Sequence, residues 1–305
     1  MTDKNTVNNS KKIKLLSAFM LILTAMIWGF AFVAQRVGAE SLGSFYFNGI
    51  RFAMGAVSLI PVVLIFEREK FDKQKFKRTL VASLIGGTVL FIAAALQQFG
   101  IVMTQSAGKS GFITGLYTVL VPILSLLVYK KKNSIGGWIG AVLAVGGLFL
   151  LSVNESFSIG LGDVVLFVGA IFWAVHILVV DKFVGGISPL KFAMFQFVVC
   201  AALNLICAAC FETISLAAIK AALVPLLYGG CASVGIAYTL QIIAQKYSDP
   251  TFAAIVFSLE SVFSAIGGAL ILNEKMSGRG YIGCVLIFGG IVISQLKFEK
   301  KKEVL

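Results

Sequence analysis

Apolar runs separated by short polar stretches fill the chain, and a helix needs about 20 mainly apolar residues to cross a bilayer core. That ruler predicts ten spans, over 13–34, 44–66, 79–100, 108–129, 135–153, 163–180, 190–211, 218–241, 250–272 and 279–296. The fifth is the shortest, and the eighth carries an internal proline, Pro225. Lys11, Lys12 and Lys14 precede the first run, as they would in a signal peptide. That run is too long for a signal core and shows no small-residue cleavage site before Arg36, so it is expected to stay as a helix.

The same pattern repeats. Trp28 falls on Trp173, Phe47 on Phe192 and Phe52 on Phe197 at an offset of 145. Leu96-Gln97 falls on Leu240-Gln241 at 144. Leu116 falls on Leu259, Val119 on Val262, Lys132 on Lys275, Gly140 on Gly283 and Gly146-Gly147 on Gly289-Gly290 at 143. Such drifts are what loop insertions and deletions produce. Each half holds five predicted spans, an odd number, so the second half is expected to enter the membrane from the opposite side. Inverted repeats of this kind underlie many secondary transporters, because the two halves exchange conformations and open the site to each face in turn.

Composition narrows the class. Of 305 residues, 58% are hydrophobic and 13% charged, and the mean hydropathy is +0.95. A soluble domain carries about 25% charged residues, so a water-soluble enzyme, a disordered chain and a nucleic-acid binder are all excluded. Cys200, Cys207, Cys210, Cys231 and Cys284 lie in apolar runs. Cys207 and Cys210 form a C-x-x-C with no second pair or histidine partner, so the cysteines read as packing residues and no metal site is expected.

The net charge of +12 is explained by where the cations sit. With the N-terminus inside, the cytoplasmic segments hold Lys4, Lys11, Lys12, Lys14, Arg68, Lys70, Lys73, Lys75, Lys77, Arg78 and Lys130 to Lys132. They continue with Lys182, Lys191, Lys246, Lys297 and Lys300 to Lys302, leaving Arg36, Lys109, Lys220, Lys275 and Arg279 outside and Arg51 within a span. Positive loops stay in the cytoplasm, so both termini are expected there in a multi-pass protein of the cell membrane. The loop with Glu274, Lys275 and Arg279 is the one that dissents.

The residues that now matter are Trp28-Gly29-Phe30, the FNGIRF around Arg51, and LESVFSAIGGALILNEKMSGRGYIGCVLIFGGIVIS over 259–294. Together with the first-half counterpart GLYTVLVPILSLLVYKKKNSIGGWIGAVLAVGGLFLLS they resemble the EamA family of the drug/metabolite transporter superfamily. Glu260 and Glu274 fall at typical family positions. The chain departs from the pattern at Lys131, where the family has an acid, and at Ser261, where it usually has proline. The resemblance implies ten helices around a central cavity, built from the first four helices of each half, with the fifth and tenth peripheral. It also implies export as the commoner direction. The organisation expected is a cytoplasmic tail over 1–12, five-helix repeats over 13–153 and 163–296, and a basic cytoplasmic tail over 297–305.

Ionisable groups inside a span are costly and normally face a bundle interior or a water-filled path. Arg51 shares a face with Asn48, Gly55 and Ser58, and reads either as a lining for anionic solutes or as a structural clamp. Glu260 lies near mid-membrane, with Ser264 one turn on, and reads as a coupling or substrate site, or as a packing carboxyl paired with Arg51. His176, three residues after Trp173, reads as a proton relay or as an interhelical donor. The neutral set is Trp28, Gln97, Gln98, Tyr117, Trp173, Gln196, Asn204, Tyr238 and Gln241. Tyr117 is the repeat counterpart of Glu260, and Gln196 that of Arg51.

A cavity with aromatic walls and a few amides suits small amphipathic solutes. The expected function is therefore a secondary transporter of small organic metabolites or drugs, working by alternating access with protons as a candidate coupling ion. It needs no cofactor, and a homodimer is compatible with the sequence. The alternative is an intramembrane enzyme on a lipid-linked substrate, for which Glu260 and His176 are the only acid/base pair. A channel would need rings of like charge, and none is visible.

Overall fold

The computed structural model describes residues 4–67, 72–104, 107–130, 133–152, 159–272 and 277–296. Arg68, Lys70, Lys131, Lys132, Glu274, Lys275 and both ends of the chain, to which the sequence assigns topological roles, lie outside the described residues.

Among the described residues every regular element is helical, as apolar stretches without water to bond their backbone require. The first half holds α1 (Lys4–Ala39), α2 (Ser44–Phe66), α3 (Lys73–Thr104), α4 (Ala107–Gly115), α5 (Tyr117–Tyr129) and α6 (Ile135–Ser152). The second holds α7 (Leu161–Val184), α8 (Pro189–Phe211), the short α9 (Leu216–Ala221) and α10 (Leu223–Leu227), then a π-helical segment, Tyr228–Tyr238. It ends with α11 (Thr239–Gln245), α12 (Pro250–Phe257), α13 (Leu259–Leu272) and α14 (Gly278–Gln295). Eight helical stretches are long and apolar enough to cross a membrane. The remaining two apolar segments form α6 and α14, of 18 residues each. At 1.5 Å per residue each is about 27 Å long, slightly under the roughly 30 Å of a hydrocarbon core. Val57, Leu64, Leu127, Phe211, Val224 and Val285 are exposed along the outer faces, an apolar coat that lipid covers and water would not tolerate.

Three apolar runs that look continuous in sequence are interrupted. The fourth breaks at Leu116, between α4 and α5, and the ninth at Ser258, between α12 and α13. Both breaks are tightened by backbone bonds to the third residue back, Leu116 N–H to Ile113 O (3.2 Å) and Ser258 N–H to Ile255 O (3.2 Å). Ser258 Oγ also donates to Ile255 O at 2.6 Å, a bond that bends helices. The eighth run breaks at Ala222, one turn before Pro225, and then widens into the π-helical segment YGGCASVGIAY. Its glycines let it lie against α2: a Cβ on Gly230 would stand 2.6 Å from Met54 Cβ, and one on Gly55 would collide with Val234.

Helix pairs are held by matching contacts at repeat-equivalent positions. α6 and α14 touch backbone to backbone: a Cβ on Gly140 would lie 2.6 Å from Gly290 O, and one on Gly147 2.5 Å from Gly283 O. α2 and α8 cap one another. Glu212, following α8, accepts from Phe45 N–H and Tyr46 N–H (both 2.9 Å) at the start of α2. Glu67, following α2, accepts from Leu190 N–H (2.9 Å) at the start of α8. Glu67 and Glu212 are 145 positions apart, as are the fully buried Phe47 and Phe192 between them.

Candidate functional site

The helix breaks fall beside the two residues that face each other at the centre. Tyr117 opens α5 and Glu260 stands in the first turn of α13. The Tyr117 hydroxyl donates to Glu260 Oε1 at 3.0 Å, joining the two repeat counterparts directly. α5 and α12 cross nearby, where Thr118 Oγ1 donates to Ala254 O at 3.2 Å. Gly29 lets α1 lie on α13, since any side chain there would stand 2.6 Å from the Glu260 carbonyl oxygen. That approach brings Trp28 beside Glu260.

Around this pair runs a cavity of about 460 Å³, counted with its opening. α1 contributes Trp28, Ala31, Phe32 and Gln35; α2 and α3 contribute Arg51 and Gln97. Thr114 and Tyr117 come from α4 and α5, and Trp173 and Ile177 from α7. Ser233 and Tyr238 come from the π-helical segment, Gln241 from α11, and Phe257 and Glu260 from either side of the second break. Neither α6 nor α14 contributes. The aromatic walls interlock: Trp28 lies 4.7 Å from Tyr238 and 5.2 Å from Phe257 between ring centres, and Trp173 stacks on Tyr238 at 6.1 Å. Trp28 Nε1 donates to Ser233 O at 3.3 Å.

Arg51 is buried, its Nε donating to Asn48 Oδ1 at 2.9 Å. Asn48 Nδ2 in turn donates to Ala94 O at 3.1 Å, tying α2 to α3. The guanidinium carbon lies 5.0 Å from the Phe52 ring centre and 5.7 Å from that of Phe47, a desolvated cation–π setting. Among the described residues Nη2 has no hydrogen-bond partner. Arg51 is therefore held at Nε, as the clamp reading expected, while it also contributes to the cavity wall. The suggested pairing of Glu260 with Arg51 is not found: among the described residues no ion pair joins them, and each carboxyl or guanidinium bond described goes to a neutral group.

Eight of the twelve candidates named from sequence line the cavity: Glu260, Arg51, Trp28, Trp173, Tyr117, Gln97, Tyr238 and Gln241. His176 and Gln196 do not. They bond each other behind the wall, His176 Nε2 to Gln196 Oε1 at 3.2 Å, with the imidazole edge-on to Trp173 and Tyr238. Among the described residues, the acid and base that an intramembrane enzyme would need are therefore separated. Asn204 donates to Cys200 O within α8, and Gln98 to Gln35 O between α3 and α1. Ala31, Phe32, Gln35, Thr114, Ile177, Ser233 and Phe257 also line it and are not among the candidates. Gln35 and Phe32 follow Trp28 at seven and four residues, a helical face legible in principle; Ser233 depends on the π-helical register and was not.

Toward the N-terminal half of α1 the cavity is sealed. Ser17 Oγ donates to Ala244 O (2.8 Å), Thr24 Oγ1 to Ala237 O (3.1 Å), and Gln245 Nε2 to Ile177 O (3.1 Å). Leu21 and Ala25 between them are fully buried.

Long apolar helices around a cavity with polar groups on aromatic walls form the body of a multi-pass membrane transporter. The chain belongs to the EamA-like transporter family, whose model matches it twice, over residues 15–153 and 160–296. It is 28% identical over 281 residues to an uncharacterized transporter of Archaeoglobus fulgidus, across 91% of this chain and 85% of that one. It is 23% identical over 289 residues to the uncharacterized transporter YoaV of Bacillus subtilis, across 92% and 97% of the two chains. A solved crystal structure with 19% identity shares the fold, at a TM-score of 0.75 over 93% of this chain and 96% of the other.

Proposed function

We propose that the protein is an alternating-access secondary transporter that exports small organic solutes across the cell membrane, coupled to protons through Glu260. Both termini would be cytoplasmic, with ten spans arranged as inverted five-helix repeats over 13–153 and 163–296. The observation that carries the reading is the Tyr117–Glu260 bond. It joins repeat counterparts at two helix breaks, beside a cavity closed toward the N-terminal half of α1. Breaks of this kind place chemistry at mid-membrane in transporters built from repeats. The reciprocal caps of Glu67 and Glu212, and the paired glycine contacts of α6 and α14, support two halves related by a two-fold axis. With the N-terminus inside, the sealed end faces the cytoplasm and the cavity faces outward. Exchange to the inward-facing form would break the Ser17, Thr24 and Gln245 bonds.

The test is untargeted metabolomics on medium from cells expressing the wild type or Glu260→Gln, at several external pH values. Solutes enriched outside by the wild type only, with enrichment that varies with pH, are the expected result. Equal enrichment by both forms at every pH would remove Glu260 from coupling. No enrichment by either, with both confirmed in the membrane, would overturn export.

A further inference from the structure

We propose that His176 and Gln196 join the cavity wall in the inward-facing form, standing there where Ala31 and Arg51 stand in the present one. They would then be groups that a solute meets on entry from the cytoplasm. This rests on the transporter reading above and adds a contact site to it.

The repeat places them. Ala31 and Arg51 line the cavity, and their counterparts at the 145 offset are His176 and Gln196. The helical faces match as well: Trp28, Ala31 and Phe32 of α1 answer to Trp173, His176 and Ile177 of α7. Of these six, all but His176 line the cavity. Inverted halves open to the second face by exchanging arrangements, so the second half would then present at the wall what the first half presents now.

Local bonding singles out the same pair. The His176 ring lies edge-on to Trp173 and Tyr238, at 6.1 and 6.3 Å between centres, directly behind two rings of the wall. Arg51 is held from within its own helix by Asn48. Gln196 has Ala193 at that place and is held across the bundle by His176, at 3.2 Å. Gln196 Oε1 can only accept, so His176 Nε2 carries the hydrogen and Nδ1 keeps a bare lone pair. Both residues are fully buried, and among the described residues His176 Nδ1 and Gln196 Nε2 have no partner. Buried polar groups are normally satisfied, and a pair that only packed α7 on α8 could be replaced by apolar side chains at little or no cost. An acceptor and a donor left unmet here are accounted for if the inward-facing form brings them to solute or water.

His176 is the only histidine in the chain, so its exposure can be read chemically. The full chain in lipid nanodiscs is treated with diethyl pyrocarbonate, which acylates a bare imidazole nitrogen, and the modified peptide is quantified by mass spectrometry. Gln245→Leu and Thr24→Val each remove a bond that closes the inner end, which favours the inward-facing form. Each is expected to speed modification of His176 about fivefold, and the two together about 25-fold. Gly147→Ala loosens α6 against α14, away from the cavity, and should leave the rate as in the wild type. An unchanged rate in both seal variants would overturn the proposal. So would equal speeding by Gly147→Ala, since His176 would then be reached by unfolding, or wild-type modification as fast as that of free histidine. In the export assay, Gln196→Leu should cut enrichment of the exported solutes about fivefold or more; enrichment equal to the wild type would overturn the solute contact. If solutes are exported while the modification rate never changes, the transporter reading survives alone. Faster modification in the seal variants with no export by the wild type would overturn the transporter reading and leave the change of wall.

Discussion

Replacing Glu212 by glutamine tests whether the reciprocal caps hold α2 against α8. In the wild type both carboxylate oxygens accept backbone N–H groups at the start of α2, at 2.9 Å each. Glutamine keeps one acceptor and turns an NH2 toward the other N–H, so one charge-assisted bond is lost, worth about 1.5–3 kcal/mol. It also removes a negative charge from a helix N-terminus, worth about 0.3–1 kcal/mol. Glu212 is only part-buried, so water recovers some of this and the low end applies, about 2 kcal/mol. Glu212→Ala loses both bonds and should cost about 3 kcal/mol. Glu67→Gln disturbs a single bond, to Leu190 N–H, and should cost about 1–2 kcal/mol. The two caps sit at opposite ends of the 23-residue α2, about 34 Å apart, so the double variant should be additive to within about 0.5 kcal/mol. Thermal unfolding in detergent micelles, followed by tryptophan fluorescence, reads the wild type and all four variants. Unchanged stability for Glu212→Gln, or a double variant no worse than the poorer single, would refute the reciprocal-cap reasoning.

Two neighbouring glycines offer a contrast within α6. Gly147→Ala would place a methyl 2.5 Å from the Gly283 carbonyl and 2.7 Å from Ile287 Cγ1, costing about 1–3 kcal/mol of overpacking. Gly146→Ala meets nothing within 4 Å and should be neutral or stabilise by up to about 1 kcal/mol; equal effects in the same unfolding assay would contradict the packing. Tyr117→Phe keeps the ring but strips Glu260 Oε1 of its donor, and should lower both stability, by about 1.5–3 kcal/mol, and export. Unchanged export and stability together would mean that the bond does not organise the site.

Much of the architecture is already present in the amino-acid order. The length of the apolar runs sets where helices form, because a backbone in lipid has to bond to itself. The 143–145 offsets identify residues in matching places of the two halves: the counterparts Tyr117 and Glu260 meet directly, while Gly140 meets Gly290 and Gly147 meets Gly283. Charged, amide and aromatic groups inside the apolar runs were enough to pick eight cavity residues, since groups that cost free energy in lipid are kept where they are solvated or bonded.

Tertiary structure alone decided the rest. The breaks at Leu116 and Ser258 lie in runs whose composition favours an unbroken helix, and the π-helical winding over Tyr228–Tyr238 comes where that segment packs closely on α2. His176 and Gln196 carried the same polar signal as the cavity residues, yet they satisfy each other behind the wall. Arg51 and Glu260 had the charges to pair, yet among the described residues Arg51 bonds Asn48 and Glu260 bonds Tyr117. Hydrophobic periodicity specifies which face of a helix avoids lipid. Which polar group on that face meets a partner and which meets the cavity depends on the neighbouring helix, and no single helix encodes it.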